Sequence, residues 1–271
     1  MITNLDKEGL RKIVLNYDLF FIDIWGVIHN GLKLNFSAIE TLKRLKEKKK
    51  KFVLLTNAPR PNVSVIEFLK KMGLKNYYEN VFTSGEAALR YLKSDLNSKK
   101  FFHIGPTRDC DLFSTFQKFK EININLADYI LCTGLFDNHV KDLNYYKTLL
   151  KEHLKKKMIC TNPDLIVDRG NLREYCAGSV AKVFENLKGE VIYFGKPYPP
   201  VYELSAETEN KKILCIGDNL NTDIRGSNIQ SFDSLLISNG IHKKEIETNN
   251  FENILKKYKV KVNFIQSNLS W

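Results

Sequence analysis

Residues 18–31, Asp18-Leu-Phe-Phe-Ile-Asp23-Ile-Trp25-Gly26-Val-Ile-His29-Asn30-Gly31, constrain this chain more than any other stretch. An apolar run, Leu19 to Ile22, ends on one carboxylate, Asp23, and turn residues follow at once. A short continuous run bounded in this way reads as a fully buried strand. The chain therefore delivers a single acidic side chain to a strand end, where open α/β sheets bind their ligands.

The rest of the sequence supplies the partners of that strand. Helical spacing is predicted for 5–16 and 36–50. A second buried strand, Lys51 to Thr56, runs into Asn57-Ala-Pro59-Arg60-Pro61. A helix over 62–72, a short strand at Val81–Thr83 and a helix from Glu86 to Lys93 come next. This β-α-β-α alternation predicts a parallel sheet. After a polar stretch the alternation restarts. Strands are expected at 101–105, 129–134 and 158–161, and helices at 111–120, 140–156 and 177–187. This series reads as a separate domain of about 90 residues, an ordinary domain size. A third part holds a strand at 191–197 closing on Lys196, a helix at 200–209, and apolar strands at 212–217 and 234–240. The tail, 243–271, reads as a helix and a surface strand. The expected architecture is α/β: a Rossmann-like three-layer core with a parallel sheet, built from 1–95 and 189–271, and an inserted smaller α/β domain, 96–188.

Composition narrows the function classes. A net charge of +11 raises nucleic-acid binding as a possibility. The lysines, however, are scattered or sit in short runs, Lys48–Lys51 and Lys155–Lys157. Both runs follow helical patterns and suit solvated helix C-termini, where cations complement the dipole. No nucleic acid is expected as partner. No run reaches the length of a membrane span, and the N-terminus lacks the basic-then-apolar pattern of a signal peptide, so no membrane contact and a cytoplasmic location are expected. The five cysteines are odd in number and lack a Cys-x-x-Cys pair. They read as buried thiols in a reducing compartment.

Four strands end in polar residues: Asp23; Thr56 and Asn57; Lys196; and Asp218, with Asp223 in the loop beyond. Singly, each is an ordinary turn or cap residue. Together, at strand ends of one α/β chain, they point to an active site. Carboxylates without a His or Cys cluster suit a hard cation such as Mg²⁺. A lysine and a hydroxyl suit a phosphate. A carboxylate is also a competent nucleophile, provided cations neutralise the phosphoryl oxygens it must approach.

The order Asp23-x-Trp-Gly, Thr56-Asn57, Gly195-Lys196-Pro197 and Gly217-Asp218-x-x-x-Thr222-Asp223 resembles the four motifs of the haloacid-dehalogenase superfamily of phosphohydrolases. The inserted domain, with Gly134-Leu-Phe-Asp137, Thr161-Asn162-Pro163-Asp164 and Ala177-Gly178-Ser179, resembles the C2-type cap of class IIA, the NagD-like and nitrophenylphosphatase-like branch. The resemblance implies a Mg²⁺-dependent phosphohydrolase of a small phosphate ester, working through an aspartyl-phosphate. In it Asp23 is nucleophile and metal ligand, and Thr56 binds the phosphoryl group with the backbone at Asn57. Lys196 neutralises charge, Asp218 binds the metal, and Asp223 supports the metal shell. The backbone after Asp23, at Trp25 and Gly26, cradles phosphate, and the Trp25 carbonyl is a metal ligand. Asp137, Asn162 and Asp164 are candidate cap contacts to substrate, or else plain turn and cap residues. Caps of this kind often take part in dimers, so a homodimer is compatible with the resemblance.

One position departs from the family pattern. The phosphatase motif is Asp-x-Asp, and its second Asp acts as general acid and then base; here it is Trp25. The pattern implies a metal site retained and a proton shuttle lost, a loss typically worth roughly 10²–10⁴-fold. His29 is the nearby titratable alternative, or a turn cap. Three readings follow: a phosphatase favouring leaving groups that need little protonation, a phosphate-ester binding or regulatory protein with an impaired site, and a C–Cl or C–P bond-cleaving relative. The retained Asp218 and Asp223 argue against the last.

Overall fold

The structure, a computed structural model, describes residues 2–169 and 172–271. Strands are numbered along the chain. The first sheet takes β1 (Thr3–Asn4), β2 (Leu19–Asp23), β3 (Lys51–Thr56) and β4 (Val81–Thr83) from the N-terminal part. The second sheet holds β5 (Phe101–Ile104), β6 (Lys120–Glu121), β7 (Tyr129–Cys132) and β8 (Lys157–Cys160). An antiparallel hairpin follows, β9 (Ile166–Arg169) and β10 (Leu172–Tyr175), and then β11 (Val191–Tyr193). The chain returns to the first sheet with β12 (Ile213–Gly217), β13 (Asp233–Ile237) and β14 (Phe264–Gln266).

The first sheet is seven-stranded and parallel, in the order β1-β14-β13-β12-β2-β3-β4, with β2 inside it between β12 and β3. From β2 the chain winds outward to β3 on one side and later to β12 on the other. That places the topological switch point beside Asp23. Both faces are buried, which is why β2 reads as unbroken apolar sequence. Phe20 and Ile22 face one core with Ala38, Leu42 and Leu45 of α1 (Phe36–Glu47). Leu19 and Phe21 face another with Ala87, Ala88 and Leu92. That second core also contains Phe101, Tyr129, Leu131 and Ile159 of the second sheet, so the two sheets share one apolar interior. The second sheet is five-stranded and parallel, β11-β8-β7-β5-β6. The expected α/β core with a smaller inserted α/β domain is therefore present.

Several elements differ from the sequence-based expectation. Residues 5–16 form two short 3₁₀ turns, Leu10–Lys12 and Val14–Asn16, following Gly9 at a φ of 69°. The expected helix at 111–120 is a run of 3₁₀ turns over Thr107–Phe119, interrupted at Phe113 and Phe116. Phe113 is wholly buried, stacked edge-on to Phe101, and its packing outweighs regular helix geometry. The 140–156 helix is shorter, Leu143–Leu150. β11, expected to open the returning part of the core, pairs instead with β8 at the edge of the second sheet. The tail strand, β14, lies inside the first sheet between β1 and β13, where Gln266 is fully buried. Among the described residues no helix is long and apolar enough to cross a membrane, and all five cysteines are free thiols.

Candidate active site

Asp23 ends β2, and in register its neighbour is Leu55, one residue before Thr56. Asp218 follows β12 directly, and Asp223 lies on the wide helical turn Leu220–Ile224. The Ile224 N–H of that turn reaches back to the Asn219 carbonyl, an i→i+5 bond. Such single wide turns are frequent at functional sites. One carboxylate oxygen from each of Asp23, Asp218 and Asp223 lies within 4.8 Å of the others, and all three residues are buried.

Lys196 enters this cluster from the segment linking β11 to the first sheet. Its ammonium donates to Asp23 Oδ1 at 2.6 Å, to Asp223 Oδ1 at 2.6 Å and to the Leu55 carbonyl at 3.0 Å. A lysine has three N–H donors, so all are engaged. Burial works against the ammonium, but Asp223 and Asp23 beside it raise its pKa above the ordinary lysine range. The carboxylates shift too. Burial and then Asp223 push Asp23 well above the usual range, with Lys196 pulling back. Burial and Asp223 push Asp218 up to about 7, against the Ile241 N–H that donates to Asp218 Oδ2 at 2.9 Å. One ammonium does not balance three buried carboxylates, and buried charge needs a compensating charge.

The backbone is shaped to this cluster. Gly26 has a φ of 86°, and a Cβ there would strike the Asp218 carboxylate; a Cβ at Gly240 would do the same. The acids are hard oxygen donors packed within one ion's reach, and they fit a hard divalent cation.

The second-motif loop joins the two domains. The Asn57 side chain accepts the Lys196 N–H at 2.7 Å, donates to the Lys196 carbonyl at 3.0 Å and donates to Asp164 Oδ1 at 3.2 Å. Its side chain is thereby committed to holding the lysine segment, and only its backbone is left for a phosphate. The Thr56 hydroxyl accepts the Ala58 N–H at 3.2 Å. Further along, Arg60 pairs with Asp111 at 2.7 Å, and Ser84 Oγ donates to the Thr161 carbonyl at 2.5 Å.

The candidate cap residues separate. Asp164 reaches the site, against Asn57 and Thr222, and burial raises its carboxyl to about 6. Asn162 closes a turn, its Oδ1 accepting the Asp164 N–H. Asp137 is exposed and accepts the Thr107 N–H and hydroxyl at 3.1 Å, so it is a turn cap. His29 is buried, its Nδ1 accepting the Gly31 N–H at 2.9 Å and its ring lying between Trp25 and Phe68. That is the geometry of a turn cap.

The β9–β10 hairpin, whose Asp168 carbonyl accepts the Trp25 indole N–H at 2.7 Å, is absent from the sequence-based expectation. Its signal was present: alternating Ile166-Val-Asp-Arg169 and Leu172-Arg-Glu-Tyr175 about Gly-Asn, the pattern of a hairpin. Also unforeseen was the buried group His103, Thr133 and Asp109, with His103 Nε2 2.8 Å from Thr133 Oγ1.

Comparison with known proteins places these observations. A family model described as haloacid dehalogenase-like hydrolase matches residues 20–117, and a HAD-hydrolase-like model matches residues 193–260. Chloroplastic phosphoglycolate phosphatase 1A of Arabidopsis thaliana is 26% identical over 262 residues, covering 86% of this chain and 72% of that protein. Among solved structures, a haloacid dehalogenase-like family hydrolase from Brucella suis superposes with a TM-score of 0.83 at 29% identity, covering 97% of this chain and 99% of that one. The 4-nitrophenylphosphatase from Thermotoga maritima shares the fold, with a TM-score of 0.73 at 23% identity over 95% of this chain and 96% of its own.

Proposed function

We propose, from the premise that the chain is a hydrolase of the haloacid-dehalogenase superfamily, that it is a Mg²⁺-dependent phosphatase of the class IIA, NagD-like branch. Its substrate on this reading is a small phosphate ester, and the phosphoryl group passes through Asp23. The observation that carries the reading is the Asp23–Lys196–Asp223 chain of 2.6 Å bonds beside Asp218.

Each residue has a role in that reading. Lys196 engages Oδ1 of Asp23, favours its ionised form against burial and Asp223, and leaves Oδ2 to attack phosphorus. The P–O bond to the leaving group breaks as the Oδ2–P bond forms. Thr56 Oγ1 and the backbone N–H groups after Asp23 hold the phosphoryl oxygens. Asp23, Asp218 and the Trp25 carbonyl would hold Mg²⁺, with Asp223 supporting them. When bound there, the ion would neutralise the oxygens that otherwise repel the nucleophile. Asp164, held by Asn57, brings the second domain to the rim. Trp25 has no acidic proton, so the leaving group must depart with little protonation, and water must attack the aspartyl-phosphate without a base at this position.

Trp25 also favours a second reading, a phosphate-ester binding protein with an impaired site. The test is hydrolysis of p-nitrophenyl phosphate, acetyl phosphate and 2-phosphoglycolate, with Mg²⁺ and with chelator. The phosphatase reading expects Mg²⁺-dependent turnover that Asp23→Asn reduces to background. Tight binding of phosphate without turnover of any of these would favour the second reading.

A further inference from the structure

We propose that Trp25 is a positioning residue: its indole N–H fixes the β9–β10 hairpin beside the Asp23 site, and so sets which esters the site accepts. The part concerning esters rests on the phosphatase reading above; the part concerning the hairpin does not.

Tryptophan has a single side-chain donor, its indole N–H. Here that donor is given to the Asp168 carbonyl at 2.7 Å, two residues along the chain from the nucleophile and across the domain boundary. The indole is itself held firmly. The His29 ring meets it edge-on, with centroids 4.9 Å apart, and His29 is locked by the Gly31 N–H and by Phe68. The residue standing where the family carries its acid therefore points its one proton at the hairpin backbone and not at a leaving group.

The hairpin gains from such a contact. Among the described residues its strands pair only with each other, outside both larger sheets. Its base is secured: Asp164 is bound to Asn57, and the Leu165 carbonyl accepts the Cys176 N–H at 3.0 Å and the Ser179 hydroxyl at 2.6 Å. Beyond the base, Leu172 is 67% exposed and Tyr175 is 43% exposed, so apolar burial contributes little to holding the outer strand. The Asp168–Arg173 pair, at 2.7 and 2.9 Å, ties the two strands together but not to the core. Two anchors to the first domain thus lie four residues apart, Asp164 at Asn57 and Asp168 at Trp25. The segment between them is stretched from the second-motif loop to the first-motif loop. Its two ends lie against Asn57 and Trp25, beside the Asp23 cluster, which on the phosphatase reading makes its position a determinant of substrate shape.

The test compares the wild type with Trp25→Phe, which keeps a ring against His29 and removes the N–H. Hydrogen–deuterium exchange of peptides spanning 165–169 and 172–176 is measured, with β2 and β12 peptides as internal controls. A neutral hydrogen bond is worth enough to make hairpin exchange about two- to tenfold faster in the variant, while the controls stay unchanged. With 2-phosphoglycolate, the loss in kcat/KM falls mainly on KM. Unchanged hairpin exchange, or a loss confined to kcat, overturns the proposal. If Trp25→Phe does not fold, the wild type still decides. Its Trp25 indole proton, resolved from that of Trp271 by NMR, must exchange with water more slowly than a free indole, and free-indole exchange contradicts the bond. If the wild type turns over no ester, the phosphatase reading fails, and the exchange measurements alone decide the role of Trp25.

Discussion

At the scale of single residues, the site is a problem of buried charge. Lys196 spends all three donors inside the protein, two of them on carboxylates. Lys196→Met should leave the acids unpaired and cost about 3–5 kcal/mol, the usual cost of breaking a buried pair; urea unfolding with and without Mg²⁺ checks it. Gly26 permits what no side chain would, at a φ of 86° and against Asp218. Gly26→Ala is expected to abolish Mg²⁺ binding in calorimetry while leaving the fold intact by circular dichroism. A second titratable pair, away from the site, has opposed shifts. Burial lowers His103 to about 3 and raises Asp109 to about 7. A buried acid with a raised pKa keeps its proton when the unfolded chain has lost it, so the native state loses stability as pH rises from about 4 to 7. A buried imidazole with a lowered pKa does the reverse between about 3 and 6.5. The two effects offset each other over their shared range. Asp109→Asn removes only the first. Its stability relative to wild type should therefore climb from pH 4 to 7, by an amount on the order of 4 kcal/mol at most, and level off above. A flat difference would contradict the assignment.

At the scale of elements, the second-motif loop carries more than the sequence suggested. Asn57 holds Lys196 by both of its backbone polar groups. Asn57→Ala should cost about 1–3 kcal/mol through the backbone groups left unpaired, and kcat should fall because the lysine is no longer aimed; melting curves and steady-state kinetics read the two effects separately. Strands were more legible than helices. β2, β3 and β12 are buried on both faces, so each is written as a continuous apolar run. Thr107–Phe119 is not a regular helix: its backbone leaves helical geometry at Phe113 and Phe116, the two residues whose rings pack on Phe101 of the sheet. β14 looked like a surface strand because its sequence is short and mixed. Its burial comes from β1 and β13, elements distant in sequence that local pattern cannot announce.

At the scale of the whole molecule, Asp23, Lys196, Asp218 and Asp223 come from three separate stretches and meet because β2 and β12 are neighbours at the switch point, with Thr56 ending the adjacent β3. Their convergence was legible because each closes or follows an apolar run. The partner of Trp25 was not, since it is a backbone carbonyl, 143 positions away, and carries no side-chain signature. Asp137 and Asp164 illustrate the same limit: identical chemistry at two turns, of which one reaches the site and the other caps a loop. A bound cation that links these elements should stabilise the fold as a whole, by about 2.7 kcal/mol at a hundredfold excess over its dissociation constant; a melting temperature indifferent to Mg²⁺ would contradict this. On the proposed reading Asp23 takes the phosphoryl group while Trp25 leaves the site without its acid and base. This is tested most directly by acid-quenching the protein after mixing with Mg²⁺ and acetyl phosphate, then locating phosphate by peptide mass spectrometry. The expected result is a phosphoryl group on Asp23 that accumulates and decays slowly, and that decays faster in Trp25→Asp. Turnover that proceeds with no phosphorylated Asp23, or that survives Asp23→Asn, would contradict it.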